Sequence, residues 1–115
     1  MNEPHRIRLR GAWEVTTLKS PHPPRDDSCS RHTRRFGKPT NLDPREQVWL
    51  VIEPCQGDLT IELNGKAIGS AANGAAFEFD ITTLLAPRNE LRIDVSGTGD
   101  QSRLTGEVRL EIRFE

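Results

Sequence analysis

The chain has 115 residues, 34% of them hydrophobic and 29% charged, with 16 basic residues against 17 acidic ones and a formal net charge of -1. That length suits one domain around a single core, and the near balance of charge removes the long-range positive field that non-specific nucleic-acid binding requires. No run approaches the roughly 18 apolar residues of a membrane span, and the opening MNEPHRIRLR lacks the apolar centre of a secretory signal. As written the chain is expected to be soluble and cytoplasmic, or extracellular or periplasmic if it is a domain cut from a longer protein.

In chain order, the dominant signal is alternation at period two, the mark of strands with one buried and one solvated face. Ile7 and Leu9 alternate with Arg6, Arg8 and Arg10, and a second strand is expected over residues 12–18, with Trp13 entering the core. Residues 19–33, KSPHPPRDDSCSRHT, have no period, and their prolines, serines and charges predict a long loop before a strand at 33–38. The next strand, 48–53, turns Val48, Leu50 and Ile52 inward and Trp49 and Val51 to the opposite face. Leu59, Ile61 and Leu63 then alternate with Asp58, Thr60, Glu62 and Asn64. Asn64-Gly65 predicts a tight antiparallel hairpin, because both residues tolerate the positive φ of a type I′ turn.

FEFDITTLLAPRNELRIDV, residues 77–95, interrupts a strand for a few residues and then resumes it. Asp80 is suited to accept free N–H groups at the start of a single turn over 81–85, Pro87 stops that turn, and Asn89 closes the chain back into strand through its own backbone neighbours. Leu84 and Leu85 are expected to plug one end. Leu91, Ile93 and Val95 then point inward, and SGTGDQSRLTG at 96–106 reads as a loop between the last two strands. The final EVRLEIRF places Val108, Leu110, Ile112 and Phe114 inward and leaves Glu107, Arg109, Glu111 and Arg113 to water. No window carries a long amphipathic helix. The expected fold class is all-β: an antiparallel two-sheet β-sandwich in which residues 77–95 carry the chain from one sheet to the other.

Several of these pieces, in this order, resemble one family. GAWEV is similar to an early strand carrying Gly-x-Trp, RRF to a strand preceding the family's proline, and VWLVIEP to its central buried strand. IELNGKAIG resembles its Asn-Gly hairpin and FEFDITTLLAPRNELRIDV its Phe-x-Phe-Asp-Ile-Thr, Leu-Leu, Asn-x-Leu-x-Val series, with GEVRLEIRF completing the sandwich. The family is glycoside hydrolase family two, the β-galactosidase and β-glucuronidase group, and the part resembled is its N-terminal sugar-binding domain. The resemblance implies a jelly roll of the galactose-binding-domain-like class acting as a non-catalytic carbohydrate-binding module. It also implies that catalysis lies elsewhere, since the acid and nucleophile of that family stand on a separate α/β barrel. The alternative is a structural or protein-interaction domain that has lost its ligand and meets a partner protein or parent enzyme.

Elimination points the same way. Glycoside hydrolysis needs two carboxyl groups at fixed separation, and Asp26-Asp27, the adjacent acidic pair, falls in the irregular loop. His22, Cys29 and His32 match no common zinc spacing, and nothing near Cys29 and His32 orients them as a nucleophile pair. No cofactor or catalytic metal is expected; structural calcium, known from relatives of this sandwich class, would draw on Asp26, Asp27 or Asp100. Cys29 and Cys55 are expected to be reduced thiols, Cys55 half-buried, with a single disulfide as the alternative.

The basic cluster Arg25, Arg31, His32, Arg34 and Arg35 suits an anionic saccharide, a phosphate or an acidic partner, against the plainer reading of a solvated strand face. Without interleaved aromatics it does not suit single-stranded nucleic acid. Trp13 and Trp49 are the two indoles able to stack on a sugar, and the face bearing Trp49 is either covered by a loop or a docking surface. The candidate ligand-binding residues are therefore Arg31, His32, Arg34, Arg35 and Trp49, joined by Asp100 and Arg103 from the 96–106 loop.

Overall fold

The computed structural model describes residues 5–11, 13–18, 27–40, 42–98 and 106–114. These residues form nine strands: β1 (His5–Arg8), β2 (Glu14–Leu18), β3 (Asp27–Gly37), β4 (Glu46–Ile52), β5 (Asp58–Leu63), β6 (Lys66–Ala71), β7 (Phe77–Asp80), β8 (Arg88–Thr98) and β9 (Val108–Phe114). They make two antiparallel sheets with strand orders β1-β9-β4-β7 and β2-β3-β8-β5-β6. The all-β two-sheet architecture read from the alternation is the one found.

Each sheet buries the residues that its period selects. On one, Val48, Leu50 and Ile52 of β4 lie beside Ile112, Leu110 and Val108 of β9. On the other, Leu59, Ile61 and Leu63 of β5 lie beside Val95, Ile93 and Leu91 of β8. Ten of these twelve residues are no more than 2% exposed, the exceptions being Val108 and Ile112. Burying an aliphatic side chain of this size contributes about 1.5–3 kcal/mol, so the facing rows are the main source of stability.

Two connections follow the sequence closely. Asn64 and Gly65 take φ of 53° and 81° and join β5 to β6. Asn64 also ties the hairpin to β8, since its Oδ1 accepts the Glu90 N–H at 2.8 Å and its Nδ2 donates to Asn89 Oδ1 at 3.0 Å. Between β7 and β8 the chain makes a 3-10 turn, Thr82–Leu84. Asp80 accepts both the Thr82 N–H, at 3.0 Å, and the Thr82 hydroxyl. Asn89 is buried, accepts the Ala86 N–H at 2.8 Å and donates to the Ala86 carbonyl at 2.9 Å. This short break moves the chain from the four-stranded sheet to the five-stranded one, with Leu84 and Leu85 packed against the core.

Three expectations are corrected. The irregular stretch does not last to residue 33: β3 begins at Asp27 and pairs with β8 over its whole length and with β2 from Cys29 to Thr33. Its inward residues there are Ser30 and His32, which hide the apolar period. Phe114 is 60% exposed, because its neighbour on β4 is Glu46, the residue that opens that strand. Glu111, expected in water, is 5% exposed, for reasons that lie on the outer face of the four-stranded sheet.

Candidate functional site

Strand geometry splits the arginine cluster. Along β3, Ser30, His32 and Phe36 are buried, while Arg31 and Arg35 alternate to the outer face. Arg31 stands across from Asp94 of β8 and grips it with a fork, Nε to Oδ1 at 2.9 Å and Nη2 to Oδ2 at 3.1 Å. That hydrogen-bonded carboxylate raises the Arg31 pKa further. Arg35 stands across from Glu90 at a looser 3.6 Å and is 82% exposed. On the same face Arg92 meets Glu90 at 3.3 Å and Glu62 at 3.6 Å.

Arg34 is turned from these groups and serves the backbone. Its guanidinium donates to the carbonyls of Arg10 (3.0 Å from Nη2), Gly11 (3.2 Å from Nε) and Arg35 (2.9 Å from Nη1). It thereby pins the crossover from β1 to β2, where Trp13 Nε1 also donates to the Leu9 carbonyl at 2.9 Å. His32 is 7% exposed, with Nε2 at 2.9 Å from Ser30 Oγ. Burial pushes its pKa down, against a smaller upward pull from Asp94. Of the remaining candidates, Arg25, Asp100 and Arg103 lie outside the described residues, as do His22 and Asp26.

Trp49 is half-buried, and among the described residues an arginine lies over its ring. It projects from the outer face of the four-stranded sheet between Glu111 of β9 and Asp80 of β7. The Arg113 guanidinium lies over the ring, 4.6 Å from its centroid, and Trp49 Nε1 donates to Gln47 Oε1 at 3.2 Å. Arg113 also binds Glu78 and, at 2.8 Å, Glu111. Arg109 binds Glu111 at 2.7 Å, Glu53 at 3.0 Å and Glu107 at 3.1 Å. From β1, Arg6 approaches Glu111 at 3.8 Å and Arg8 pairs with Glu107 at 2.8 Å. Val51, on the same face between its neighbours Arg109 and Glu78, is buried, as expected where arginine stems lie along apolar surface. Burial pushes the Glu111 carboxyl up, but Arg109 and Arg113 outweigh it and hold the group below the usual carboxylate range. Sequence alternation puts Glu111 on this face; the convergence of arginines upon it depends on strand order and had no signal in the chain.

Among the described residues no group of three His, Cys, Asp or Glu side chains is placed to hold a metal ion. Cys29 and Cys55 are both free thiols, and Cys55 is fully buried rather than half-buried, its Sγ donating to the Glu53 carbonyl and accepting the Gly106 N–H. A shallow depression lined by Pro54, Cys55, Gln56, Asn73 and Gly74 presents no carboxylate, cation or aromatic face to a ligand. No helix of the described residues is long and apolar enough to cross a membrane.

In sequence, no family model and no curated protein matches the chain. In three dimensions it is similar to parts of several glycoside-cleaving enzymes. A β-glucuronidase from an uncultured Clostridium species matches with a TM-score of 0.75 at 18% identity, over 100% of this chain and 30% of that one. The Bacteroides uniformis β-glucuronidase gives 0.73 at 18% identity, over 96% and 18%. The β-D-mannosidase of Dictyoglomus thermophilum gives 0.65 at 20% identity, over 79% and 15%. The chain thus spans less than a third of each of these enzymes, and what it has in common with them is the fold of one β-sandwich segment.

Proposed function

We propose that the chain is a non-catalytic sandwich domain related to those of family-two glycoside hydrolases, with a structural, protein-contacting role. The observation that carries this reading is the state of the described candidate ligand-binding residues. Arg31 is spent on Asp94 and Arg34 on three carbonyls, while Trp49 lies under Arg113, itself held by two carboxylates. A guanidinium must leave such partners before it meets an anionic ligand, which costs about 1.5–3 kcal/mol for a part-buried charge-assisted bond such as Arg31–Asp94 and about 0–1 kcal/mol for an exposed one. The likeness to a minor share of much longer enzymes supports a part that works beside a larger unit. Neither this reading nor the next needs a cofactor.

The carbohydrate-binding module is the second reading, favoured by the company the fold keeps: one similar structure is a Bifidobacterium dentium β-glucuronidase complexed with coumarin-3-O-glucuronide. A uronic acid would be met by Arg35, the most exposed of the described residues of the cluster, with Asp100 and Arg103 as further polar groups. Titrating the labelled protein with mono- and oligosaccharides, uronic acids included, separates the two. The structural reading expects no shifts at millimolar ligand. Saturable shifts gathered on one rim, and lost in Arg35→Ala, would overturn it in favour of sugar binding.

A further inference from the structure

Among the described residues the two sheets leave four edge strands, β1 and β7 on one, β2 and β6 on the other. An edge presents unpaired N–H and C=O groups, and proteins blunt such edges with charge, brevity or bulges. Three of these edges are blunted. β1 is four residues long and carries Arg6 and Arg8; β7 is four residues long and carries Glu78 and Asp80. β6 opens on Lys66 and its pairing with β5 shifts register near Ile61 and Glu62.

β2 is blunted least, with one charge, Glu14, at its first residue and no shift of register. Its sequence EVTTL runs against β3 without a break, from Glu14 opposite Thr33 to Leu18 opposite Cys29. Glu14, Val15, Thr16 and Thr17 are all exposed, Val15 to 60%. Val15 stands across from His32, which is buried on the inner face of the sheet, so the inner side of β2 leaves a β-branched residue uncovered. Valine and threonine are residues that fit a pleated surface with neighbours on both sides.

Resting on the protein-contacting role above, we propose that β2 is the docking edge for a second copy of this chain, paired antiparallel about a two-fold axis at Thr16. This joins two five-stranded sheets into one. In that register Thr16 meets Thr16, each Val15 meets the other copy's Thr17, and each Glu14 meets Leu18. No like charges oppose, and each Val15 gains a β-branched neighbour, which makes the strand self-complementary as a two-fold contact demands. The other edges of the smaller sheet fail the same test. A two-fold centred on either middle residue of β1 sets arginine against arginine, and on either middle residue of β7 carboxylate against carboxylate.

The test is sedimentation of the full chain under reducing conditions across the micromolar range. The expected result is a mass rising with concentration to twice that of the protomer. Thr16→Lys sets two like charges at the axis and is expected to abolish the dimer while leaving the urea midpoint unchanged at dilutions where the wild type is also monomeric, because Thr16 is exposed. Thr16→Glu behaves alike when alone, and an equimolar mixture of the two variants restores the dimer. A wild-type chain that stays monomeric, a dimer that survives Thr16→Lys, or a mixture that stays monomeric would each overturn the proposal. None of these results touches the protein-contacting role, which the saccharide titration tests separately.

Discussion

The guanidinium of Arg113 lies 4.6 Å from the centroid of the Trp49 ring while it binds the carboxylate of Glu111, the neighbour of Trp49 across the β4–β9 pair. A cation anchored by two carboxylates shields the indole without an apolar cover. Trp49 emission should therefore report on Arg113. In a Trp13→Phe background, Arg113→Ala is expected to shift the emission to longer wavelength, to raise quenching by acrylamide, and to cost about 0.5–2 kcal/mol. Arg113→Lys keeps a cation but not the fork and should fall between. Emission unchanged in Arg113→Ala would mean that some other group screens the ring.

Glu111 is the hub of the same face. Its carboxylate accepts from both Arg109 and Arg113, and it is nearly removed from water. Glu111→Gln keeps the shape and deletes the charge, leaving Arg109 with Glu53 and Glu107 and Arg113 with Glu78. The loss should be about 1–3 kcal/mol, read from the urea midpoint at constant slope. Glu62→Gln is the control. Glu62 meets Arg92 at 3.6 Å on a more open face, where an ion pair is worth about 0–1 kcal/mol. Equal losses at the two positions would deny Glu111 its central place.

How far this was legible in the sequence depends on the range of the interaction. The facing rows at 59–63 and 91–95 declare themselves because burial acts residue by residue, and Asn64-Gly65 because its turn needs only two residues of suitable φ. Asp80 and Asn89 bond within a few residues and are read nearly as well. The Glu111 hub and the Arg34 clamp are not local: the first needs the order of β1, β9, β4 and β7, the second brings residues 10–11 beside residue 34. The first half of β3 is masked differently, since an inward serine and histidine replace the aliphatics that would have marked a strand.

That buried histidine gives stability a dependence on pH of known sign. With its pKa lowered by burial, His32 stays neutral in the folded chain where the unfolded chain would bind a proton. Its contribution is complete above about pH 6.5, the ordinary histidine value, and declines as pH falls through the lowered folded value. Glu111, whose net shift is also downward, adds a second decline below about pH 4.3. Urea midpoints taken from pH 7 to about 2 should fall in these two stages, with His32→Leu flattening the first and Glu111→Gln the second. A midpoint that rises as pH drops from 7 to 5 would contradict the sign.

Gly69 tests how the sandwich closes at its other side, where β6 of one sheet approaches β7 of the other. The buried Phe77 ring fills the space a side chain would need: a Cβ on Gly69 would fall 2.8 Å from Phe77 Cε2. The ring is also stacked on Phe79, centroids 6.2 Å apart and planes 7° from parallel, so it cannot slide without loosening that contact. In an open strand, replacing glycine by alanine removes an entropic handicap of about 0.5–1 kcal/mol and stabilises. Here the clash should reverse that sign, with Gly69→Ala costing about 1–3 kcal/mol in the urea midpoint. Adding Phe77→Leu to Gly69→Ala should then cost less than Phe77→Leu costs alone, because the smaller residue vacates the space the new methyl needs. If Gly69→Ala instead stabilises the chain, the two strands do not pack as closely as the ring contact requires.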